Sequence, residues 1–406
     1  MPENTEVVVV GGGYAGVMAA NRLTRRDDVT VTVLNPRPAF VPRLRLHQLV
    51  GGSHDAVVDY REVLAQRVGL ELDTATRIDA AGRAVALASG RTLGYDRLIY
   101  AVGSHGAVRD VPGAAEYAHP VATLEAARHL RSLLDATPAP APVTVVGAGP
   151  TGIETAAELA EGGRRVTLVC GGDLGPYLHP RARRTAARRL AGLGLTVLDG
   201  PGTKVTAVTQ DAVRLGDGRE VPSALTVWTV GFGVPQLAAH SGLSTDAAGR
   251  LLTDETLTSV DDERIVAAGD CAAPSDLPFR MSAYAAGCLG AHAADTVLHR
   301  IAGERPAPVN LSFPAMCVSL GRHGGIFQLA HKDDTAMRFY LGGPVGTKLK
   351  ELSCRASVKH LVDEARKPGS HSWPKGELRR KVLRERRDGH DGHGRHNEPS
   401  AAAGRD

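Results

Sequence analysis

The sequence predicts an α/β fold with two parallel-sheet units, because one strand–turn–helix pattern occurs twice. The first copy is VVVVGGGYAG, from Val7 to Gly16, and the second is VTVVGAGPTG, from Val143 to Gly152. Each runs from β-branched residues through G-x-G-x-x-G into a helix-forming segment. The chain has 47 glycines and only 4% aromatic residues, which suits helices packed closely on such sheets.

The segments after the first turn predict the rest of the first unit. A helix from Ala15 to about Arg25 leads to a strand from Val29 to Leu34. A long connection, NPRPAFVPRLRLHQLVGG, follows, and residues 96–104, DRLIYAVGS, predict a buried strand that ends in a tight turn. Residues 137–142 are rich in proline and predict a stiff linker directly before the second turn.

The second unit has a similar order of elements, and a smaller region follows it. We expect strands at residues 165–170, 225–233 and 263–272, a helix at about 281–299, a strand-rich segment at 306–344 and a helix at 345–366.

Charge, apolar runs and cysteines limit the class of protein. A net charge of +4 over 406 residues gives no case for nucleic-acid binding. No apolar run approaches the roughly 20 residues that cross a bilayer, and no basic segment precedes the first strand, so we expect no secretory signal. The five cysteines (170, 271, 288, 317 and 354) form no C-x-x-C pair and no metal-ligand spacing. A reducing, cytoplasmic location is therefore expected.

The glycine turns themselves predict nucleotide binding. Glycine permits the tight turn and lets the backbone approach a pyrophosphate, which the helix N-terminus then attracts. Two such turns indicate two Rossmann-like domains and two dinucleotides, with electrons passing between them. The candidate contact residues at the turns are Gly11, Gly13, Tyr14, Ala15, Gly16, Gly147, Gly149, Pro150, Thr151 and Gly152.

Four features occur in a fixed order: the first turn, Ala101-Val102-Gly103, the second turn, and Ala268-Gly269-Asp270. This order resembles the two-dinucleotide-binding-domain flavoproteins, which are pyridine nucleotide-dependent FAD oxidoreductases, over about residues 5–300. The resemblance implies an NAD(P)H domain inserted in an FAD domain. The expected divisions are 1–115 and 251–305 for FAD, 116–250 for NAD(P)H, 306–367 for a small α+β region and 368–406 for a basic, disordered tail.

The resemblance also implies roles for single residues. Asp270 would hold the ribityl chain of FAD, and the helix after Met281 would direct its N-terminus at the flavin. Glu154 would lie near the nicotinamide; as an open alternative, it is a carboxylate that merely suits the start of a helix. Further cofactor contacts are expected at Ala101, Gly103, Gly231 and Gly269.

Two positions depart from the family pattern. The carboxylate that usually holds the FAD ribose is replaced by Asn35, whose amide oxygen can still accept a hydrogen bond. At the matching place in the second unit stands Cys170, and no arginine follows it at once. The choice between NADH and NADPH therefore stays open.

The electron acceptor defines the reaction, and the connection after the second strand bears on it. Residues 35–52 contain no cysteine, which argues against electron transfer from flavin to a disulfide. Arg43, Arg45 and His47 could instead approach the flavin or an acceptor carbonyl and stabilise developing charge. Alternatively, they form a solvated face.

The chain resembles type II NADH dehydrogenases and the apoptosis-inducing-factor-like reductases, which also lack the redox disulfide. Residues 345–366 combine apolar and basic side chains, and the basic stretch 379–387 follows. This combination predicts either a helix at a membrane surface or an amphipathic helix packed on the FAD domain. The side chains concerned are Leu349, Leu352, Ala356 and Leu361, with Lys348, Lys350, Arg355 and Lys359.

The family's two quinone-contacting glutamines are absent. Tyr284 and Cys288 stand in their places, so a tyrosine hydroxyl is one substitute contact. We expect an FAD-dependent NAD(P)H oxidoreductase with a quinone-like acceptor, and Glu154, Tyr284 and Arg43 as its catalytic candidates. The alternatives are a soluble reductase of a protein carrier or biosynthetic substrate, and a redox-sensing FAD-binding interaction protein. A homodimer is one option for the assembly, and no metal is expected, His390, His393 and His396 included.

Overall fold

The computed structural model describes residues 4–107, 111–376 and 380–385. Its strands, in chain order, are β1 (Thr5–Val10), β2 (Val29–Leu34), β3 (Ala39–Phe40), β4 (Val58–Asp59), β5 (Gly69–Glu71), β6 (Ala75–Asp79), β7 (Ala84–Leu87), β8 (Thr92–Gly94), β9 (Arg97–Tyr100), β10 (His105–Gly106), β11 (Ala118–Pro120), β12 (Pro142–Val146), β13 (Arg165–Val169), β14 (Thr196–Leu198), β15 (Val205–Val208), β16 (Ala212–Leu215), β17 (Glu220–Pro222), β18 (Leu225–Trp228), β19 (Phe232–Gly233), β20 (Leu251–Thr253), β21 (Ile265–Ala267), β22 (Ala272–Pro274), β23 (Ala315–Ser319), β24 (Gly325–Ala330) and β25 (Ala336–Gly342).

The α-helices are α1 (Tyr14–Leu23), α2 (Leu46–Gly51), α3 (Tyr60–Val63), α4 (Ala114–Tyr117), α5 (Leu124–Ala136), α6 (Pro150–Glu161), α7 (Pro180–Gly192), α8 (Leu237–His240), α9 (Ala283–Ile301) and α10 (Gly343–Arg366). Short 3₁₀ turns lie at Arg43–Arg45 and Gly269–Cys271, and residues 380–385 are helical.

The first parallel sheet has the strand order β21-β9-β1-β2-β5. Its central strand alternates between two cores, as the period of two in a strand requires. Val7 and Val9 pack with α1 and α9 on one face. Val8 and Val10 pack on the other face, against the antiparallel meander β6-β7-β8.

The second parallel sheet repeats this arrangement, with the order β11-β18-β12-β13-β14. Val143 and Val145 pack with α5, α6 and α7. Val146 and Trp228 lie in the opposite core with the meander β15-β16-β17. Two Rossmann-like α/β units are therefore present, and the second is inserted between β9 and β21 of the first.

The two connections between the units lie side by side. β10, which leaves the first unit, pairs antiparallel with β19, which returns from the second. After β19, Val234, Ala238 and Leu243 pack in the first unit's core with Tyr100. These three residues lie within the range 116–250 expected for the NAD(P)H domain, and that boundary stays a prediction.

The C-terminal region consists of the antiparallel sheet β23-β24-β25 with α10 lying across it. The apolar stripe expected on this helix does not form one exposed face: Leu361 is buried in the core of α1 and α9, whereas Leu352 is 61% exposed. Lys350, expected among the exposed basic residues, is buried. Of the two interpretations of residues 345–366, an amphipathic helix packed on the protein describes α10, because this helix buries the face that contacts β24 and α1.

Part of the segment expected to be a disordered tail packs on the body of the protein. Buried Glu364 accepts hydrogen bonds from the backbone N–H groups of Gly369 and His371. The Trp373 indole donates to the carbonyl of Asn310. Two internal carboxylates, Glu364 and Glu255, bind this segment, and Arg380 pairs with the latter. Residues 386–406, with the three tail histidines, lie outside the described residues.

Within the described parts of the chain, no helix is long and apolar enough to cross a bilayer. The same residues contain no cluster of His, Cys, Asp and Glu side chains suited to a metal ion.

Candidate functional site

The first glycine turn lies at the carboxyl end of β1, where α1 begins. Gly11 has φ of +110°, and a Cβ there would overlap the carbonyl oxygen of Ala101. A Cβ on Gly16 would overlap the carbonyl oxygen of Gly11. Gly13 caps α1 and has open space where a side chain would be. The turn is thus tightly packed at two glycines and open at the third, which is the form of a phosphate cradle.

Two side chains from neighbouring segments form hydrogen bonds with the backbone of this turn. Asn35 Oδ1 accepts a hydrogen bond from Gly12 N–H at 3.0 Å, and its Nδ2 donates to the carbonyl of Arg37 at 2.9 Å. Tyr60 donates its hydroxyl to the carbonyl of Gly12 at 2.7 Å. Asn35 therefore supports the turn directly, a role that the sequence analysis did not assign to it.

Two residues at the start of α1 face the protein interior. The Tyr14 hydroxyl lies 3.2 Å from Ser357 Oγ on α10, and its ring packs edge-on against Phe40 with 5.0 Å between centroids. The carbonyl of Ala15 lies where a Cβ on Gly290 would be, so α1 and α9 approach each other closely. The side chain of Tyr14 is thus engaged inside the protein, and nucleotide contacts of Tyr14 and Ala15 stay a prediction.

A polar cluster lies at the carboxyl ends of β9 and β21. Ser104 donates its hydroxyl to Asp270 Oδ2 at 2.6 Å and accepts from Arg43 Nη1 at 3.0 Å. Arg43 lies 3.7 Å from the same carboxylate. Gly103 and Gly269 both have positive φ, at +69° and +81°, and the Ala101 N–H pairs with β1. Asp270 and Arg43, 227 residues apart in sequence, are thus brought together beside the first turn.

The second turn has the same geometry at the carboxyl end of β12. Gly147 has φ of +119°, and a Cβ on it would overlap Thr229 Oγ1. A Cβ on Gly152 would overlap the carbonyl oxygen of Gly147, while Gly149 caps α6 and has open space. Pro150 and Thr151 are the first residues of α6, and Gly231, with φ of +85°, follows β18 in the chain.

The surroundings of Cys170 leave coenzyme choice open. Burial, together with the charges of Asp199 and Asp173, raises the pKa of its thiol to about 12. Three arginines, 181, 183 and 184, lie further along the chain, and Arg183 is paired with Asp173 at 2.6 Å. Arg181 and Arg184 are exposed on α7.

A buried cluster connects the two units with the C-terminal region. Glu154, 4% exposed, lies in the second turn of α6. Its Oε1 is 2.8 Å from Lys350 Nζ and accepts a hydrogen bond from Ser319 N–H at 3.0 Å. Its Oε2 is 3.4 Å from His47 Nδ1. Burial alone would lower the pKa of Lys350, but Glu154 raises it above the usual value, so the lysine is a buried cation.

The three basic residues of FVPRLRLHQ separate in the structure. Arg43 joins Asp270, whereas Arg45 is bound to Glu351 on α10 at 2.8 Å and His47 faces Glu154. Only Arg43 of the three meets the cluster at Asp270, because a 3₁₀ turn and α2 point the side chains in different directions. Lys350, Ser104 and Tyr60 were missed, since their partners are more than 45 residues away in sequence.

Tyr284, the third catalytic candidate, lies apart from the Glu154 cluster. Its hydroxyl donates to the carbonyl of Ser312 at 3.0 Å, and burial raises its pKa. Its ring is 36% exposed and packs edge-on against Phe313, with 6.0 Å between centroids. The side chain presents an aromatic face rather than a free hydroxyl hydrogen.

Comparison with known proteins identifies the class. Residues 5–290 match the pyridine nucleotide-disulphide oxidoreductase family model, and the chain belongs to this family. It is 34% identical over 299 residues to an NADH dehydrogenase-like protein of Mycobacterium tuberculosis, which covers 66% of this chain and 73% of that protein. A type II NADH:quinone oxidoreductase of the same organism is 28% identical over 352 residues, or 75% of each chain.

Solved structures agree on the fold. The structure of NDH2 from Plasmodium falciparum in complex with NADH superimposes with a TM-score of 0.72 at 16% identity, covering 92% of this chain and 99% of that chain. The protein is an NAD(P)H-dependent flavoprotein oxidoreductase that uses FAD and NAD(P)H. The residues present fit both nucleotides, since each glycine turn leaves open space at a helix N-terminus where a diphosphate is attracted.

Proposed function

We propose that the protein passes electrons from NAD(P)H through FAD to a quinone-like small molecule, with the Glu154–Lys350 pair between the two nucleotide sites. The observation that carries this proposal is the position of that pair. Glu154 lies on α6, which starts at the second glycine turn, and Lys350 lies on α10, which packs against α1 at the first. FAD, when bound, accepts a hydride from the nicotinamide and releases the electrons to the acceptor.

The first turn and the cluster at Asp270 would hold FAD. Gly13 and the N-terminus of α1 would take the diphosphate, and Asp270, oriented by Ser104 and Arg43, would bind the ribityl hydroxyls. The proposed FAD contacts are Gly11, Gly13, Tyr14, Ala15, Gly16, Asn35, Ala101, Gly103, Gly269 and Asp270. The proposed NAD(P)H contacts are Gly147, Gly149, Pro150, Thr151, Gly152 and Gly231.

Lys350 would stabilise the negative charge that reduction places on the flavin. A cation has this effect only while it stays protonated, and Glu154 favours the protonated form. Because the pair is buried, the interaction is little weakened by solvent. Glu154 and Lys350 thus form one unit, and replacing either should change reduction of the flavin.

Rapid mixing tests the reaction. Anaerobic FAD-loaded protein should bleach with NADH or NADPH, and a menaquinone analogue should restore the flavin colour. If neither donor bleaches the flavin, the enzymatic function is overturned and the interaction-protein alternative is favoured. If the flavin bleaches but quinone does not restore it, the acceptor is a protein carrier or another substrate.

Lys350→Met isolates the role of the buried cation. We expect flavin reduction to slow by at least about tenfold, because a charge-stabilising group is lost from a water-poor site. Lys348→Met is the matched control, since Lys348 is exposed on the same helix. Equal rates for wild type and Lys350→Met would contradict the assigned role.

We also propose that no redox disulfide takes part, although the family includes disulfide reductases. All five cysteines are free, and burial raises the thiol pKa of both Cys317 and Cys354, the two whose pKa Lys350 influences. Titration of free thiols should give the same number before and after reduction by NAD(P)H. A gain of two thiols on reduction would contradict this proposal.

Tyr284 and Phe313 would present an aromatic surface to the acceptor. Tyr284→Phe should keep reoxidation by quinone, whereas Tyr284→Ala should slow it, because ring stacking and not the hydroxyl carries the contact. Neither variant should change flavin reduction by NAD(P)H. Equal rates of reoxidation by quinone in wild type and Tyr284→Ala would indicate that the acceptor binds elsewhere.

Peripheral membrane contact would use the exposed apolar side chains of the C-terminal region. Phe339 on β25 is 59% exposed, and Val345 and Leu352, seven residues apart on α10, are 52% and 61% exposed. Basic Lys348 and Arg355 lie beside them, a combination that suits anionic lipid. Sedimentation with anionic vesicles should be lost in Phe339→Ser/Leu352→Ser and kept in Val260→Ser, a control residue that is 59% exposed.

A further inference from the structure

His47 is a buried imidazole that the proposed electron transfer does not use. It lies on α2 with 4% of its surface exposed, and its Nδ1 is 3.4 Å from Glu154 Oε2. The other oxygen of that carboxylate, Oε1, already has two partners, Lys350 Nζ and Ser319 N–H. Each carboxylate oxygen of Glu154 therefore faces a different side chain: Oε2 faces His47, and Oε1 faces Lys350.

The carboxylate of Glu154 favours one tautomer of His47. An ionised carboxylate only accepts hydrogen bonds, so its approach to 3.4 Å favours a hydrogen on Nδ1 and the lone pair on Nε2. Nε2 is buried and has no hydrogen-bond partner within the described residues. Burial, assisted by the charges of Lys350 and Arg45 and opposed by Glu154, lowers the pKa of His47 to about 4.

A neutral donor differs in effect from a cation at this place. A lysine or arginine would compete with Lys350 for the negative charge of Glu154, whereas a neutral imidazole orients the carboxylate and leaves its charge for Lys350. The charged groups that influence His47 come from different elements: Glu154 from α6, Lys350 from α10, Arg45 from the 3₁₀ turn and Arg322 from the turn after β23.

We propose that His47 is a positioning residue, whose neutral Nδ1–H orients Glu154 so that this carboxylate holds the Lys350 cation at the flavin site. This inference rests on the proposed function, because it assigns His47 a purpose only if Lys350 acts on the flavin. His47 itself would touch neither nucleotide.

The tautomer can be measured without turnover. In FAD-loaded protein labelled with ¹⁵N-histidine, His47 should show the Nδ1-protonated tautomer and should not titrate between pH 5.5 and 8. His47→Asn assigns the signal by its loss. In Glu154→Gln, the preference for Nδ1–H should weaken, since the side-chain amide can donate as well as accept. A predominantly Nε2-protonated ring in wild type would overturn the proposal.

Kinetics separate positioning from packing. His47→Asn keeps an N–H donor near the position of Nδ1 and should reduce flavin at close to the wild-type rate. His47→Leu removes the donor and should lower kcat by about tenfold or more, because a displaced catalytic group costs rate, with KM for NAD(P)H nearly unchanged. Val50→Ala, at a buried residue of the same helix, should lower stability and leave kcat unchanged.

The two proposals can fail separately. If wild-type flavin is not reduced by NADH or NADPH, the proposed function fails. If wild-type flavin is reduced and His47→Leu has the same kcat as wild type, only the role of His47 is overturned. Equal losses of kcat in the Asn and Leu variants would also overturn it, since they would indicate a structural effect of the ring.

Discussion

At the scale of single residues, the six motif glycines divide into two kinds. A Cβ on Gly11, Gly16, Gly147 or Gly152 would overlap protein atoms, whereas Gly13 and Gly149 have open space. Protein packing thus requires four of the glycines. Packing within the protein does not require glycine at the other two positions. The close approach of a ligand is the remaining explanation for glycine there.

Alanine at the open positions should therefore affect ligand binding and not folding. We expect Gly13→Ala to weaken FAD binding by about tenfold and Gly149→Ala to raise KM for NAD(P)H similarly, because a methyl group would lie in the diphosphate's place. Flavin fluorescence and steady-state kinetics measure the two effects. Gly192→Ala, also in open space, is the control, and a large loss of thermal stability in Gly13→Ala would contradict the explanation.

Tyr60 supports the first turn through one hydrogen bond to Gly12. Its partner lies 48 residues away, so the glycine pattern did not reveal it. Tyr60→Phe removes only the hydroxyl and should raise the dissociation constant of FAD about fivefold, equivalent to about 1 kcal/mol. Equilibrium titration of the apoprotein with FAD measures this, and an unchanged constant would show that the turn holds its form without the hydroxyl.

At the scale of elements, the strands and helices of the two parallel sheets follow from local pattern. β2 matches its expected range at both ends, and β13 does so to within one residue. The C-terminal elements depend more on context, because α10 carries apolar and basic residues around much of its surface. Which of these face the interior was decided by β24 and α1, not by the helix.

The segment after α10 is anchored by a buried ion pair. Arg380 and Glu255 have side chains only 9% and 13% exposed and lie 2.7 Å apart. Burial alone would raise the pKa of Glu255, but hydrogen bonds from Arg380 and Ser275 lower it. The described residues 380–385 therefore belong to the folded body.

Arg380→Ala should lower the free energy of unfolding by about 3 kcal/mol, since it leaves a buried carboxylate without its main partner. Urea titration of the FAD-loaded protein measures this. Lys381→Ala, whose side chain is 73% exposed, should change little. An effect below about 1 kcal/mol in Arg380→Ala would indicate that the segment detaches without cost.

At the scale of the whole molecule, one buried and one partly buried histidine connect stability with pH. Burial lowers the pKa of His47 and of His371 to about 4. Each is neutral in the folded state and takes up a proton near its usual pKa of about 6.5 once unfolded. The stability they contribute is complete above that value and is lost as pH falls from about 6.5 towards 4.

The free energy of unfolding should therefore fall between pH 7 and pH 5, by at most about 1.4 kcal/mol per pH unit for each histidine. His371→Gln should show a smaller slope than wild type, whatever its absolute stability. His240→Gln, at an exposed position, should keep the wild-type slope. Equal slopes in all three proteins would contradict the assignment to His371.

The sequence by itself determined the two glycine turns, the order of the four motifs and hence the two nucleotides. These signals are local: a turn that needs positive φ and a close approach needs glycine wherever it occurs. The tertiary structure alone decided the cluster that we propose as the site between them. Residues 47, 154 and 350 meet in one buried cluster, where Glu154 keeps Lys350 charged and burial keeps His47 neutral. No local pattern encodes such a meeting, because charge state depends on which distant groups exclude water.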